Sequence, residues 1–470
     1  MHPVSSSSRA ARARPARSLI PALALCVLSH ACAGAPAREG AAAAAPLDAE
    51  LALATFDSVW SRIAHTHYDT AFGGVDWAGV RAELRPAAAA VRTLPDLRRV
   101  IGDMLSRLGE SHYGLIPGEV VDAADGSDAA VEAISGDVGA ELRIVGGDLL
   151  VWRLRADGAA ARAGVGTGWQ LTHIDGRATA DRIRAIGSMP ESQRRTALTR
   201  LLYQSNAELA GAAGSTVELR LRDGAGRAAA RTLTRQPRAG EVVRFGNLPP
   251  SMAQLHQERL PAGSGCVGLI RFNIWLAPLA GQIDRAVEAV RSCQGIIIDL
   301  RGNPGGVAAM VMGTAGHFLN DTLPLGFLRT RTSELRFKAN PRRVRVDGSA
   351  VAPYAGPLAI LTDEMTASTS EFFAAGLQGV GRARVFGSPS AGQALPAMTV
   401  RLPTGDVLMH VMGDFTGPHA VRIEGRGVIP DVVVASTRTD LLEGRDMPLL
   451  AAQAWITGGA AAGQHRGGDS

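Results

Sequence analysis

A chain of 470 residues, 46% of them hydrophobic, can bury the cores of two or three domains and reads as a soluble globular protein. Its formal charge of +5 rests on Arg9, Arg12, Arg14 and Arg17; without them about +1 remains, so a basic nucleic-acid surface is excluded and the charge is a targeting signature. No fixed-period repeat is visible, and the many small residues read as compositional drift.

Residues 1–33 combine those four arginines with the apolar Leu19 to Leu28, too short to cross a bilayer, and the small residues Ala31-Cys32-Ala33. This is a secretory signal, so export to a bacterial periplasm or beyond the cell is expected. Cys32 is the alternative: the lipidated first residue of a bacterial lipoprotein, although Ser29 stands where such cysteines usually have leucine. It is the only membrane attachment the sequence offers. Residues 34–48, rich in Ala, Pro and Gly, read as a tether.

Over residues 49–120 apolar side chains recur at helical spacing: Phe56, Val59, Trp60 and Ile63, then Trp77, Val80 and Leu84, then Leu97, Val100, Ile101, Met104, Leu105 and Leu108. A small helical domain is predicted, closed by Gly109-Glu110-Ser111-His112-Tyr113-Gly114. Residues 134–236 alternate short strand patterns with turns, at 140–145, 149–154, 169–174, 217–221 and 231–235. Within them Ala159-Ala-Ala-Arg-Ala-Gly-Val-Gly-Thr-Gly-Trp-Gln-Leu-Thr-His-Ile-Asp-Gly176 resembles the PDZ domain, which binds extended peptides at a sheet edge. Val138-Gly139-Ala140 is similar to its carboxylate-binding loop.

From 260 to 456 the pattern becomes βα alternation, as in an α/β core with its site at the strand C-terminal ends. Cys266 and Cys293 each precede a predicted strand; a disulfide and two buried thiols are both open readings. The buried strand Gly295–Leu300 runs into Arg301-Gly302-Asn303-Pro304-Gly305-Gly306, where a residue without Cβ lets its amide approach a substrate carbonyl. A second strand, Leu358–Leu361, leads through a polar turn to a helix beginning near Ser368 and ending at Gly379. Ser, Thr and Glu crowd helix starts because they cap. A hydroxyl at such a turn also projects beside unpaired amides, which makes Ser368 the candidate nucleophile and Gly306 and Thr369 the candidate oxyanion donors. Strands are predicted at 398–402, 408–412 and 421–423, followed by Glu424, with a disordered tail over 458–470.

Gly-Glu-Ser-His, the PDZ-like run, Asp-Leu-Arg-Gly-Asn-Pro-Gly-Gly, Thr-Ala-Ser-Thr-Ser-Glu-Phe-Phe and Ile-Glu-Gly-Arg-Gly-Val-Ile-Pro-Asp together resemble one superfamily. It comprises the C-terminal processing peptidases, the tricorn protease core and the interphotoreceptor retinoid-binding protein repeats. The resemblance implies an α+β and α/β multidomain fold: a helical N-terminal domain, a PDZ-like β-domain, and an α/β core with a mixed sheet carrying the nucleophile at a strand-to-helix turn. It implies Ser368 as nucleophile with Gly306 and Thr369 as oxyanion donors. Ser–Lys members carry their lysine 25 residues further on, where this chain has Gln393, and an amide is no base near neutral pH. The tricorn-like branch instead implies His112 as general base for Ser368, with Ser111 and Glu424 orienting the imidazole. The implied activity is a serine endopeptidase acting on peptides or loosely folded proteins, with a substrate as partner and no cofactor. The alternative from another class is an inactive peptide- or hydrophobic-ligand-binding protein on the same fold. His65, His67, His410 and His419 lack metal-ligand spacing, so no metal is expected, and the oligomeric state is open.

Overall fold

Each of the first three helices starts where a side chain satisfies amides that the helix itself cannot. In the computed structural model, which describes residues 46–124, 128–244 and 250–463, Asp48 accepts the Leu51 amide at the head of α1 (Ala49–Thr66). Asp76 accepts the Gly79 amide before α2 (Trp77–Ala90), and Thr93 accepts the Asp96 amide before α3 (Leu94–Ser106). Phe56, Val59, Ile63, Trp77, Val80, Leu97, Ile101 and Met104 interlock into one apolar cluster, as their spacing predicted. The signal segment with Cys32, most of the tether, and residues 464–470 lie outside the described residues.

After Gly109, at φ +66°, the chain becomes β1 (Gly114–Ile116). An antiparallel sheet then follows in chain order: β2 (Ala140–Val145), β3 (Asp148–Leu154), β4 (Gln170–Ile174), β5 (Thr216–Arg222) and β6 (Ala228–Thr234). Between β4 and β5 lie a helix at Thr179–Gly187 and α4 (Glu191–Leu209), which the strand-and-turn reading did not anticipate. Pro190 separates them, and arginines and other polar residues blur the apolar period of α4.

The central sheet runs β7 (Leu255–Ala262), β8 (Gly265–Phe272), β9 (Gly295–Asp299), β10 (Leu358–Thr362), β11 (Arg384–Gly387) and a last strand at Val432–Val433. Only β7 is antiparallel to its neighbour, so the sheet is mixed. The run Ile296-Ile297-Ile298 is apolar throughout because both faces of β9 are covered. Ile296 and Ile298 pack with Leu279, Ile283 and Val287 of α5 (Ala277–Val290), and Ile297 packs with Ala452 and Ile456 of the helix Met447–Gly463. Burying each such side chain stabilises the fold by about 1.5–3 kcal/mol. Cys266 and Cys293 are joined by a disulfide, which settles the two readings their positions left open.

Two expectations need correction. The segment 421–423 forms no strand: His419 and Ala420 both have positive φ, and only a single bridge joins Arg422 to Thr416. The C-terminal helix continues to Gly463, past the point where a disordered tail was expected, in keeping with the high helix propensity of its alanines. A three-stranded sheet of Pro324–Thr330, Glu334–Lys338 and Gly413–Thr416 had no counterpart in the sequence reading.

Candidate active site

Ser368 stands at the head of α6 (Thr369–Gly379), immediately after the turn that leaves β10. Its φ of 55° and ψ of −121° put a residue with a side chain where glycine is favoured, a conformation costing about 1–3 kcal/mol unless its surroundings enforce it. They do. The Ser368 amide is shared between Glu371 Oε2 (2.8 Å) and the Gln393 carbonyl (2.9 Å). Upstream, Asp363 accepts the Gly302 and Met365 amides at 2.9 and 3.0 Å, and Thr366 Oγ1 donates to the Leu300 carbonyl at 3.0 Å. These contacts bind the turn to the end of β9.

The glycine loop after β9 lies directly against Ser368. A Cβ on Gly305 would sit 2.7 Å from Ser368 Cβ and 2.9 Å from the Thr369 nitrogen, and one on Gly306 would strike the Trp275 carbonyl, so both positions require glycine. Thr369 Oγ1 donates to the Gly306 carbonyl at 2.7 Å. Neither the Gly306 amide nor the Thr369 amide donates to any described residue. The Thr369 hydroxyl bond to the Gly306 carbonyl brings the two unpaired amides to the turn that carries Ser368.

Ser111, His112 and Glu424 meet at a second centre. The Ser111 amide donates to Glu424 Oε1 at 2.9 Å, its hydroxyl donates to Oε2 at 3.0 Å, and Oγ lies 2.5 Å from His112 Nδ1. A serine hydroxyl has one proton. If it goes to the carboxylate, Nδ1 must be the donor to Oγ, and Nε2 carries the free lone pair. β1, which begins two residues later, pairs Gly114 with Met409, Leu115 with Leu408 and Ile116 with Val407, and so fixes His112 from its far side.

The two centres are joined by Gln393-Ala394. Gln393 supplies the carbonyl that receives the Ser368 amide, and the next residue, Ala394, donates its amide to Glu424 Oε2 at 2.7 Å. No hydrogen bond joins His112 to Ser368 Oγ. Such bonds commonly tighten only when substrate is present.

Residues 266–434 match the family model "Peptidase family S41", and residues 53–106 match "Tricorn protease C1 domain". The chain is a serine-type peptidase whose residues 266–434 are similar to family S41. Among curated relatives, it is 24% identical to carboxyl-terminal-processing peptidase 3, chloroplastic, of Arabidopsis thaliana, over 86% of this chain and 74% of that one. It is 28% identical to the carboxyl-terminal-processing protease of Synechocystis, over 49% and 50% of the two chains. Two solved structures share the fold: the photosystem II D1 C-terminal processing protease (22% identity, TM-score 0.54, covering 82% of this chain and 93% of that one) and mature CPAF (14% identity, TM-score 0.55, covering 89% and 99%).

Burial dominates the electrostatics of these residues. Desolvation lowers His112 to about 3, so the imidazole is neutral across the working range. The same effect raises Glu424 to about 7, against the stabilising hydrogen bonds from Ala394 and Ser111. Glu371 is likewise raised to about 7 by burial, although the Ser368, Gly392 and Gln393 amides and the Ser390 hydroxyl all donate to it.

Glu371 is the residue that the sequence reading passed over. Its signal was available, because Ser368 and Glu371 have the Ser-x-x-Glu spacing of a capping box. Gln393 was noted only for not being lysine, yet its backbone bridges the two centres. The Val138-Gly139-Ala140 loop is largely satisfied from within: the Val138 carbonyl accepts the Ala160 amide, and the Gly139 amide donates to Asp137. The β-rich region meets the Ser368 turn elsewhere. Arg143 Nε donates to Asp363 at 2.7 Å, and from α4 Thr199 donates to the Glu364 carbonyl and Tyr203 to that of Met365. The Met365 side chain is buried in the apolar cluster of that region, with Leu142 and Leu202.

Proposed function

We propose that this peptidase is an exported endopeptidase that cleaves peptides or loosely folded proteins through an acyl-enzyme on Ser368. Ser368 Oγ attacks the scissile carbonyl carbon and its proton passes to His112 Nε2. The Gly306 and Thr369 amides hold the oxyanion. His112 then protonates the leaving amine as the C–N bond breaks, and water, deprotonated by the same imidazole, hydrolyses the ester. Glu424 acts through Ser111, which keeps Nδ1 protonated and Nε2 free. The observation that supports this reading is the unbroken series from Glu424 through Ser111 to His112, tied to Ser368 by Gln393-Ala394.

In this reading residues 134–236 form a PDZ-like domain that presents or gates the substrate, flanked by a helical domain at 49–120 and the α/β core at 260–456. Export rests on the arginine-rich, apolar segment of residues 1–33. The missing His112–Ser368 bond is the one observation that favours the binding-only alternative. A fluorophosphonate probe tests both: labelling of wild-type protein, lost in Ser368→Ala, supports the enzyme, and failure to label the folded wild type supports binding alone. Mass spectrometry of an incubated peptide library would then give the cleavage preference.

A further inference from the structure

His112 has φ +64°, in the left-handed region, and nothing in its own side chain explains why that conformation persists. Downstream it is fixed by β1. Upstream stands Glu110, and two residues before Glu424 stands Arg422; neither belongs to the tetrad. These two residues meet. Arg422 Nη2 donates to Tyr68 Oη at 2.8 Å and lies 3.5 Å from Glu110 Oε1, while Tyr68 Oη donates to the same Glu110 oxygen. His67 Nε2 donates to the other Glu110 oxygen at 3.2 Å, and Arg422 Nε lies 3.2 Å from both oxygens of Asp414. His67 is buried, Glu110 is partly exposed, and Arg422 closes the cluster on its half-exposed side. His67 and Tyr68 follow the last turn of α1, and Asp414 belongs to the strand Gly413–Thr416. Three segments distant in sequence are thus bolted together one residue before Ser111 and two before Glu424.

We propose that Glu110 and Arg422 are positioning residues: bridged by Tyr68, they hold the Ser111-His112 turn in register with the Glu424 segment and so set the approach of the imidazole to Ser368. The proposal rests on the roles given above to Ser111, His112, Ser368 and Glu424. A clamp of this kind is needed because Ser111 and Glu424 touch only through two hydrogen bonds to one carboxylate, whereas register between their segments must hold to a fraction of an ångström for proton transfer.

The clamp also carries charge. The ionisable groups around Glu424 are Glu110, Arg422, Glu371, His112 and Tyr113, with Tyr68, Asp414 and Arg329 beyond them. Glu110 disfavours the Glu424 carboxylate and Arg422 favours it, so the two members of the clamp act on it with opposite sign. Loss of either disturbs the geometry in the same way but moves the titration of Glu424 in opposite directions.

The test uses the full chain, with pH profiles of kcat and KM on an unstructured polypeptide for Arg422→Gln, Arg422→Lys, Glu110→Gln and Tyr68→Phe. Arg422→Gln and Glu110→Gln should each lower kcat about tenfold with little change in KM, and Arg422→Lys should recover part of the loss. The acidic limb should move to higher pH in Arg422→Gln and to lower pH in Glu110→Gln. Equal kcat to wild type, or limbs that move the same way, overturns the proposal. Tyr68→Phe keeps the ring and removes only the bridging hydroxyl; if the charge variants fail to fold, a Tyr68→Phe protein with wild-type kcat is itself the refutation. Ser111→Ala and Ser368→Ala separate the two readings: if both abolish cleavage while the clamp variants do not affect it, the clamp alone is wrong, and if they leave cleavage intact, the tetrad is wrong.

Discussion

The proposed nucleophile and its proposed base are both placed on positive-φ residues that carry side chains, Ser368 at φ 55° and His112 at φ 64°, but they are held by different means. Ser368 is enforced from within the core: its amide is clamped by Glu371 and Gln393, its turn is pinned to the end of β9, and Gly305 lies against it. His112 is enforced from outside, by side chains of three separate segments and by a three-residue strand. The first centre is tied by hydrogen bonds to the end of the central sheet. The second holds only while distant segments keep their register, so the two should respond differently to mutation.

The largest effect falls on the proposed nucleophile. Ser368→Ala should lose on the order of 10^4-fold or more in kcat while melting cooperatively, as measured by turnover and calorimetry. Glu371→Gln attacks the same centre from beneath: four donors would face an amide that can accept at only one atom, and about 3 kcal/mol of stability should go with most of the activity. An unchanged melting temperature would show that Glu371 does not hold the turn.

Glycine sharpens the contrast between the centres. Ser368→Gly relieves the backbone but removes the capping-box contact that the Ser368 hydroxyl accepts from the Glu371 amide, so the inactive protein should gain at most about 1 kcal/mol in denaturant titration. His112→Gly relieves a similar backbone but loses the contact with Ser111, so no such gain is expected. Equal stabilisation of both would erase the distinction.

Acid should silence the base centre before it unfolds the protein. With Glu424 raised to about 7 and His112 lowered to about 3, activity should fall as pH drops through about 7, because a protonated Glu424 donates to Ser111 and turns the serine proton towards Nδ1. Stability runs the other way. Glu371 and Glu424 bind protons more tightly folded than unfolded, so their contribution is fully present below their unfolded value of 4.5 and is lost as pH rises through about 7. Melting and turnover measured over the same pH series should therefore diverge between pH 5 and 7.

A smaller effect is expected far from the cleft. Reducing the Cys266–Cys293 bridge, whose ends are 27 residues apart, should lower stability by about 3 kcal/mol and leave kcat near its original value at moderate temperature.

The parts of this architecture that were legible beforehand are those encoded by local pattern. Helical spacing from Phe56 to Leu108 and the apolar run Ile296–Ile298 name their own elements, because each residue's neighbours along the chain are also its neighbours in the fold. Ser368 and the glycine loop were found through a strand-to-turn grammar of the same kind. α4 was missed because its buried residues are dispersed among arginines, and the strands at 324–330 and 413–416 because their pairing partners are far away in sequence. Glu110 and Arg422 gave no signal at all: each is an ordinary charge until Tyr68 comes between them, and only the tertiary structure does that.

Met365 sits three residues before Ser368, yet its side chain fills the interior of a neighbouring region rather than its own. A protein trimmed to the central sheet and its helices would keep Ser368 but strip the cover from an apolar group beside it. Such a fragment should begin to melt at the Ser368 turn, which makes the β-rich region a structural lodger that the turn cannot evict.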